Sequence, residues 1–315
     1  MAGATVRDIY SYTFVTAIFF IAIFFIAIAN ITIFYTAIFY AAFAIFVVGF
    51  MYRVIRWANI PVPTNIVTTG GTGYLSNPQS RTAAALRVAS EVLIFLSLWR
   101  NTKYDLDTHE AKGNKILWFG AMAFHVTFLL ILIRHFRLVI EPFPSWMATI
   151  RAVEAIGPSW PGLNYSSLLI IVALLYLLAR RIINPELKYI SILGDYFIVL
   201  LILGIAISGS LLAYYKLVGI VAIKAFALSL VAFNPATPPL HWFFWMHFLL
   251  VCTLIAYFPF SKLMHAPGVF FSPTRNQVNN PRIKRHINPW DYPIIPEAWE
   301  DYREKYKDAM KDVEA

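Results

Sequence analysis

The chain is poor in cysteine and poor in charge. Its 315 residues include one cysteine, Cys252, and only 14% are charged. One thiol closes no disulfide within the chain, builds no iron–sulfur cluster and attaches no haem through a CxxCH motif. Cys252 lies inside an apolar run and reads as a small packed side chain. Any cluster chemistry must therefore sit on a partner. A soluble domain has about 25% charged and 45–50% apolar residues. Here 59% are hydrophobic, 17% are aromatic and the mean hydropathy is +0.63, so most of the chain belongs in lipid. Acidic residues are the scarcer charge, 17 against 26 Lys and Arg, for a net charge of +9. Such a balance can signal nucleic acid, but basic cytoplasmic loops account for it better. A phosphate cradle is missing too, because the GGTG at 70–73 has no Lys-Ser or Lys-Thr after it.

Long apolar runs are what the sequence has instead. Residues 12–50 are almost unbroken apolar sequence, about twice the ~20 residues one span needs. Two helices, about 11–29 and 33–52, folded back at Asn30 and Ile31, are predicted. The alternative is one long helix that overshoots the bilayer by about 25 Å. The run is too long, and its basic lead too thin with only Arg7, for a secretory signal peptide. Further spans are predicted at 116–139, at 165–179 (stopped by Arg180 and Arg181), at 192–214 and at 241–262. The fold expected is an all-α integral membrane protein with about six transmembrane helices.

Pro61, Pro63, Gly70, Gly71 and Gly73 make 61–80 a loop, and Pro142, Pro144, Pro158 and Pro161 punctuate another. Residues 82–99, TAAALRVASEVLIFLSLW, predict an amphipathic helix on the membrane surface. Gly204, Ser208 and Gly209 permit close helix approach. Four parts result: a two-helix hairpin at 1–52, a cytoplasmic loop with an interfacial helix at 53–115, a helical core at 116–265 and a cytoplasmic tail at 266–315. With six alternating spans, 21 Lys and Arg fall on one side. Only Arg134, Arg137, Arg151, Lys216 and Lys224 fall on the other. The positive-inside rule puts the 21, and both termini, in the cytoplasm. No internal repeat of the transporter kind is visible.

Four histidines lie in two of the predicted spans. His247 and His265 are 18 residues apart, five full helical turns, so both project from one face. His125 and His135 lie on the span at 116–139. The two spans are antiparallel, which levels His125 with His265 near the cytoplasmic face and His135 with His247 near the outer face. Each pair offers two imidazoles to one haem iron, a ligation with no vacant position that suits one-electron transfer. The fit is imperfect: ten residues rise about 15 Å and eighteen about 27 Å, and Pro259 interrupts the second pair. The plainer reading of a buried histidine is a hydrogen bond to a neighbouring helix. Four paired by depth favour haem, and ionisable residues inside a membrane are functional candidates. His241 beside Pro239 is assigned to the interface with Trp242 and Trp245, and His109 and His286 to solvent.

The block YFPFSKLMH, closing a helix that carries His247, resembles the last helix of the nitrate reductase gamma subunit family, and GDYFIVLLILGIAISG resembles that family's fourth helix. This likeness covers roughly 32–57 and 116–270. A closer likeness covers nearly the whole chain. VGFMYRVIRWANIPVP, FHVTFLLILIRHFRLVIEP, AYFPFSKLMHAPGVFFSPTRN and NNPRIKRHINPWDYP resemble the DsrM-type membrane cytochrome b of complexes associated with sulfite reduction. That type is also called the Hdr-like menaquinol oxidoreductase cytochrome b subunit. The resemblance implies a di-haem b core of four helices, ligated by His125, His135, His247 and His265. It implies menaquinol as donor and a place in a sulfur-metabolising respiratory chain. The implied partners are a cytoplasmic iron–sulfur, HdrD-like subunit, a membrane quinone-interacting protein, a ferredoxin-like subunit and a c-type cytochrome. One departure is Arg134-His135-Phe136-Arg137, where the gamma family flanks its outer ligand with glycine; the family's quinol-site residues do not transfer directly.

The quinol site is expected near His135 and His247, where Arg134, Arg137 and Glu141 cluster, with Glu141 as proton acceptor. Equally, Arg134 and Arg137 would pair with haem propionates or reach to the interface. Asp195 is read as structural, and the charged tail 282–311 as a solvated face or a docking segment for the iron–sulfur partner. Two rivals remain: an ion-coupled transporter with a histidine relay, and a structural anchor without a redox role.

Overall fold

A computed structural model of the chain describes residues 6–60, 75, 77–100, 102–105, 110–113, 115–142, 144–155, 163–278 and 297–310. The loop at 61–74, His109, Pro158, Pro161 and the stretch 279–296 with His286 lie outside the described residues, as do the side chains of 6–29.

The apolar runs become helices. Helix α1 runs from Val6 to Ala58 without interruption, so the expected hairpin at Asn30 is absent. No glycine or proline occurs between Gly3 and Gly49, and one asparagine does not stop a helix that otherwise lacks a breaker. Its 53 residues rise about 80 Å. Among the described residues five helices are long and apolar enough to cross a membrane: Asn30–Ala58, Lys115–Leu138, Tyr165–Ile183, Leu193–Tyr214 and Trp242–Phe260. The first of the six expected spans falls where side chains are not described.

The surface helix at 82–99 is two pieces, α2 (Arg81–Ile94) and α3 (Leu96–Arg100). Ser80 caps α2 by accepting from the Ala83 N–H at 3.2 Å. Phe95 breaks it, at φ 50° in the left-handed region, a strained place for a bulky residue. Glu91 bridges the break by accepting from the Ser97 N–H at 3.1 Å and from its hydroxyl. An antiparallel ribbon follows, β1 (Thr102–Asp105) with β2 (Glu110–Gly113).

Then come α4 (Lys115–His135), a 3-10 turn at Phe136–Leu138, α5 (Ser145–Glu154), α6 (Tyr165–Ile183), α7 (Pro185–Ile190), α8 (Leu193–Tyr214) and α9 (Ile220–Val231). The sequence reading missed α5, which sits among prolines, and α9, which at 12 residues is too short to cross. Helix α10 spans Trp242–Tyr257 and stops there. Proline lacks an N–H and cannot continue a helix; at Pro259 the chain tightens into 3-10 turns at Phe258–Phe260 and Lys262–Met264. His265 opens the short α11 (His265–Gly268). The expectation that His247 and His265 share one helix face is therefore corrected. After α12 (Pro273–Asn276), the tail carries α13 (Trp299–Lys305) and α14 (Lys307–Met310).

Packing runs in the order α4, α6, α8, α10, α1, with no extended contact between α4 and α10. Ile170, Leu174, Ile202 and Leu203 form the core between α6 and α8, flanked by Phe124 and Phe128 of α4 and Leu254 of α10. A second cluster, Phe226, Leu230 and Phe244, fastens α9 to α10 and to Phe39 and Tyr40 of α1. On the side of the polar loops, buried Arg87 of α2 donates to the carbonyls of Arg275 (2.9 Å) and Gln277 (2.7 Å), tying the surface helix to the chain beyond His265. Burial, and then nearby Arg275, lower the Arg87 pKa.

Candidate functional site

The two histidine-bearing segments face each other across α6 and α8. The break after α10 still delivers His265 to His125: their ring centroids are 5.8 Å apart, with planes at 84°. At the other end, His135 and His247 are near enough to act on each other electrostatically. Two imidazole pairs therefore stand at two levels.

Each ring is held by its Nδ1. His125 Nδ1 meets the Ala121 carbonyl at 2.8 Å, His135 Nδ1 the Ile131 carbonyl at 2.7 Å and His265 Nδ1 the Lys262 carbonyl at 2.7 Å. A carbonyl only accepts, so the proton of each neutral ring is on Nδ1 and the Nε2 lone pair is left over. His247 Nδ1 lies 2.9 Å from Ser208 Oγ. That hydroxyl has one proton, and Gly204 O takes it at 2.7 Å. Ser208 therefore accepts from His247, which has the same tautomer as the other three. The side-chain hydrogen bonds that hold the four rings run through Nδ1. A metal-bound histidine is typically fixed in this way, its other nitrogen donating to a carbonyl or hydroxyl. Among the described residues no group of three or more His, Cys, Asp or Glu converges to hold a bare metal ion. A haem iron asks only two ligands of the protein, the macrocycle supplying the rest. The donor set fits that group.

Helix α8 forms the wall behind the outer pair. A Cβ at Gly209 would stand 2.9 Å from His247 Cε1, so only glycine leaves room for the imidazole. At the inner pair, strained Phe95 sets its ring edge-on to His125 with centroids 4.9 Å apart. Asp195, only 4% exposed at its side chain, takes Arg181 at 3.2 Å and Lys262 at 2.7 Å, and its carboxylate accepts from the Ile192 N–H. The Lys262 carbonyl in turn holds His265, so Asp195 anchors the segment that presents His265. His241 lies elsewhere, its Nδ1 accepting from the Phe243 N–H at 3.3 Å as the cap of α10.

The three residues expected at the quinol site part company. Arg134 turns to Glu154 at 3.2 Å and to Ser166 Oγ at 3.0 Å. Glu141 is 63% exposed at its side chain and paired with Lys224 of α9 at 2.5 Å. Arg137 lies within electrostatic reach of Arg134 and Arg151. Glu154 and Ser166 at Arg134, Ser208 at His247 and Lys224 at Glu141 are partners the sequence did not announce. One signal was legible: Glu154 is the only carboxylate between 142 and 185.

Residues 87–286, more than half of the chain, match the model of the nitrate reductase gamma subunit family. The chain belongs to that family. The match begins inside α2 and does not include 32–57, which the sequence reading had compared with the gamma subunit. Two curated relatives, from Archaeoglobus fulgidus and Archaeoglobus profundus, both carry the name Hdr-like menaquinol oxidoreductase cytochrome b-like subunit. The first is 38% identical, covering 87% of this chain and 93% of the relative; the second is 37% identical, covering 86% and 92%.

Proposed function

We propose that the chain is a membrane di-haem cytochrome b subunit of a menaquinol oxidoreductase of the type associated with sulfite reduction. His125 and His265 hold an inner haem b, and His135 and His247 an outer one. The observation that carries this reading is the common state of four imidazoles, each secured through Nδ1, with Nε2 left for iron. The relatives' names support it. A histidine relay would need both ring nitrogens in a hydrogen-bonded chain, and three of these rings end on a backbone carbonyl.

The haems, when bound, supply one-electron carriers at two depths. The protein's own part is to fix the imidazoles and to accept protons. Arg134 and Arg137 lie close enough to act on His135 and favour anionic groups there, propionates or a deprotonating quinol. Menaquinol is oxidised near the outer pair, protons leave on that side, and electrons cross to a cytoplasmic iron–sulfur, HdrD-like subunit. The other partners are a membrane quinone-interacting protein, a ferredoxin-like subunit and a c-type cytochrome. The 53–115 loop and the tail face the cytoplasm. One unbroken helix crosses a bilayer once, so α1 puts the N-terminal end outside. Only Arg7 changes sides, leaving 20 basic residues inside and 6 outside. The test is anaerobic mixing of the purified chain with a soluble menaquinol analogue: both haems become reduced. Reduction by dithionite but not by the analogue would refute the quinol-oxidising role.

A further inference from the structure

Glu154 ends α5, the helix between α4 and α6 on the outer side. Its side chain is 8% exposed. Oε2 accepts from Arg134 Nη1 at 3.2 Å and from Ser166 Oγ at 3.1 Å. Oε1 is buried and, among the described residues, meets no donor. A buried acceptor left unsatisfied costs about 1–3 kcal/mol, more when charged, and such a group in a folded protein calls for an explanation. A carboxylate that merely tied α5 to α4 would have both oxygens engaged. The bridge between Ala155 and Asn164 closes the intervening loop and sets Glu154 beside Ser166. Arg134 from the end of α4 pairs with it, and Arg137 and Arg151 lie within electrostatic reach of Arg134. Arg134 directly precedes His135 in sequence, so Glu154 is paired with the end of α4 that carries His135.

Resting on the quinol-oxidising reading above, we propose that Glu154 Oε1 accepts the hydrogen bond of the quinol hydroxyl and takes its proton. The quinol O–H bond breaks, a new O–H bond forms on Oε1, and the electron is taken by the one-electron b-type haem acceptor. The proton then passes to outer water, which restores the Arg134–Glu154 ion pair. The hydroxyl at the opposite end of the ring loses its proton, and the quinol its second electron, in a second such step once the ring has turned to present that hydroxyl to Oε1. Glu141, the acceptor expected from the sequence, is exposed and paired with Lys224.

The test uses the haem-loaded full chain with Glu154→Gln, Glu154→Asp and Glu141→Gln. Single-turnover haem reduction by a soluble menaquinol analogue slows about 100-fold or more in Glu154→Gln and stays within about threefold of wild type in Glu141→Gln. Infrared difference spectra on quinol addition show a protonated carboxylic acid band in wild type that is missing from Glu154→Gln. Glu154→Asp keeps the charge but draws the carboxylate back by one C–C bond (~1.5 Å), and slows reduction at least about tenfold with both haems bound. Wild-type rates in the Glu154 variants, or an infrared band that survives Glu154→Gln, overturn the assignment. A wild-type chain that shows no b-type bands fails earlier, at the haem reading itself, and takes this proposal with it.

Discussion

Gly209→Ala is the sharpest perturbation the geometry offers. The added Cβ would lie 2.9 Å from His247 Cε1, against an optimal carbon–carbon contact of about 3.5–4.0 Å. The ring must retreat by roughly 0.6 Å. Its Nδ1 bond to Ser208, at 2.9 Å, then passes the ~3.2 Å limit of a sound N–H···O bond. Overpacking of this kind costs about 1–3 kcal/mol, which weakens binding at the outer pair roughly 5- to 150-fold. The inner pair, at the opposite end of the bundle, is untouched. Gly204→Ala on the same helix is the control, because its Cβ would meet only Leu250 Cδ1, at an ordinary 3.6 Å. The assay is haem per purified chain together with resolved redox titration of the b-type bands. Gly209→Ala is expected to lose or shift one haem, Gly204→Ala neither. An unchanged pair of haems in Gly209→Ala, or equal loss of both, would refute the reasoning.

Further expectations concern the same framework. His135→Ala or His247→Ala removes about half the haem and leaves the inner centre spectroscopically intact; equal loss of both haems would show that the pairing by depth is wrong. Asp195→Asn loosens the segment that carries His265, at a cost of about 2–3 kcal/mol. That lies below the 3–5 of a fully enclosed pair because Lys262 is 68% exposed; thermal unfolding and the inner haem's electron paramagnetic resonance signal report it, and a wild-type signal and melting point would count against the anchor. Deleting residues 290–315 releases the iron–sulfur partner on detergent extraction while the haem spectrum is preserved, and retention of the partner would exclude the tail as its dock.

Much of the architecture was legible because a bilayer asks for long apolar runs, and four spans came through within a few residues of their predicted ends. Asn30 apart, the failures share a physical cause, which is tertiary contact. Asn30 looks like a turn residue, yet nothing in 4–48 breaks a helix, so α1 continues. Pro259 was noticed as a possible bend. Its consequence, a full stop with His265 restored to His125 by two tight turns, depends on Ser261 capping Leu263 at 3.1 Å and on Lys262 reaching Asp195. The histidines were visible as spacing, but the state of their Nδ1 atoms was not. Arg134 was singled out in the sequence and its partner was not, because Glu154 is 20 residues away in sequence from Arg134 and is joined to it only by the fold. Conversely, Glu141 is close in sequence to Arg137 but is drawn off by Lys224 of a helix the sequence did not announce.

The most direct measurement is the reduced-minus-oxidised optical spectrum of the purified full-length chain, with haem quantified per polypeptide. Two b-type haems per chain are predicted, falling to one when either outer histidine is replaced. A chain that purifies intact and shows no b-type bands would contradict the account, whatever its partners are.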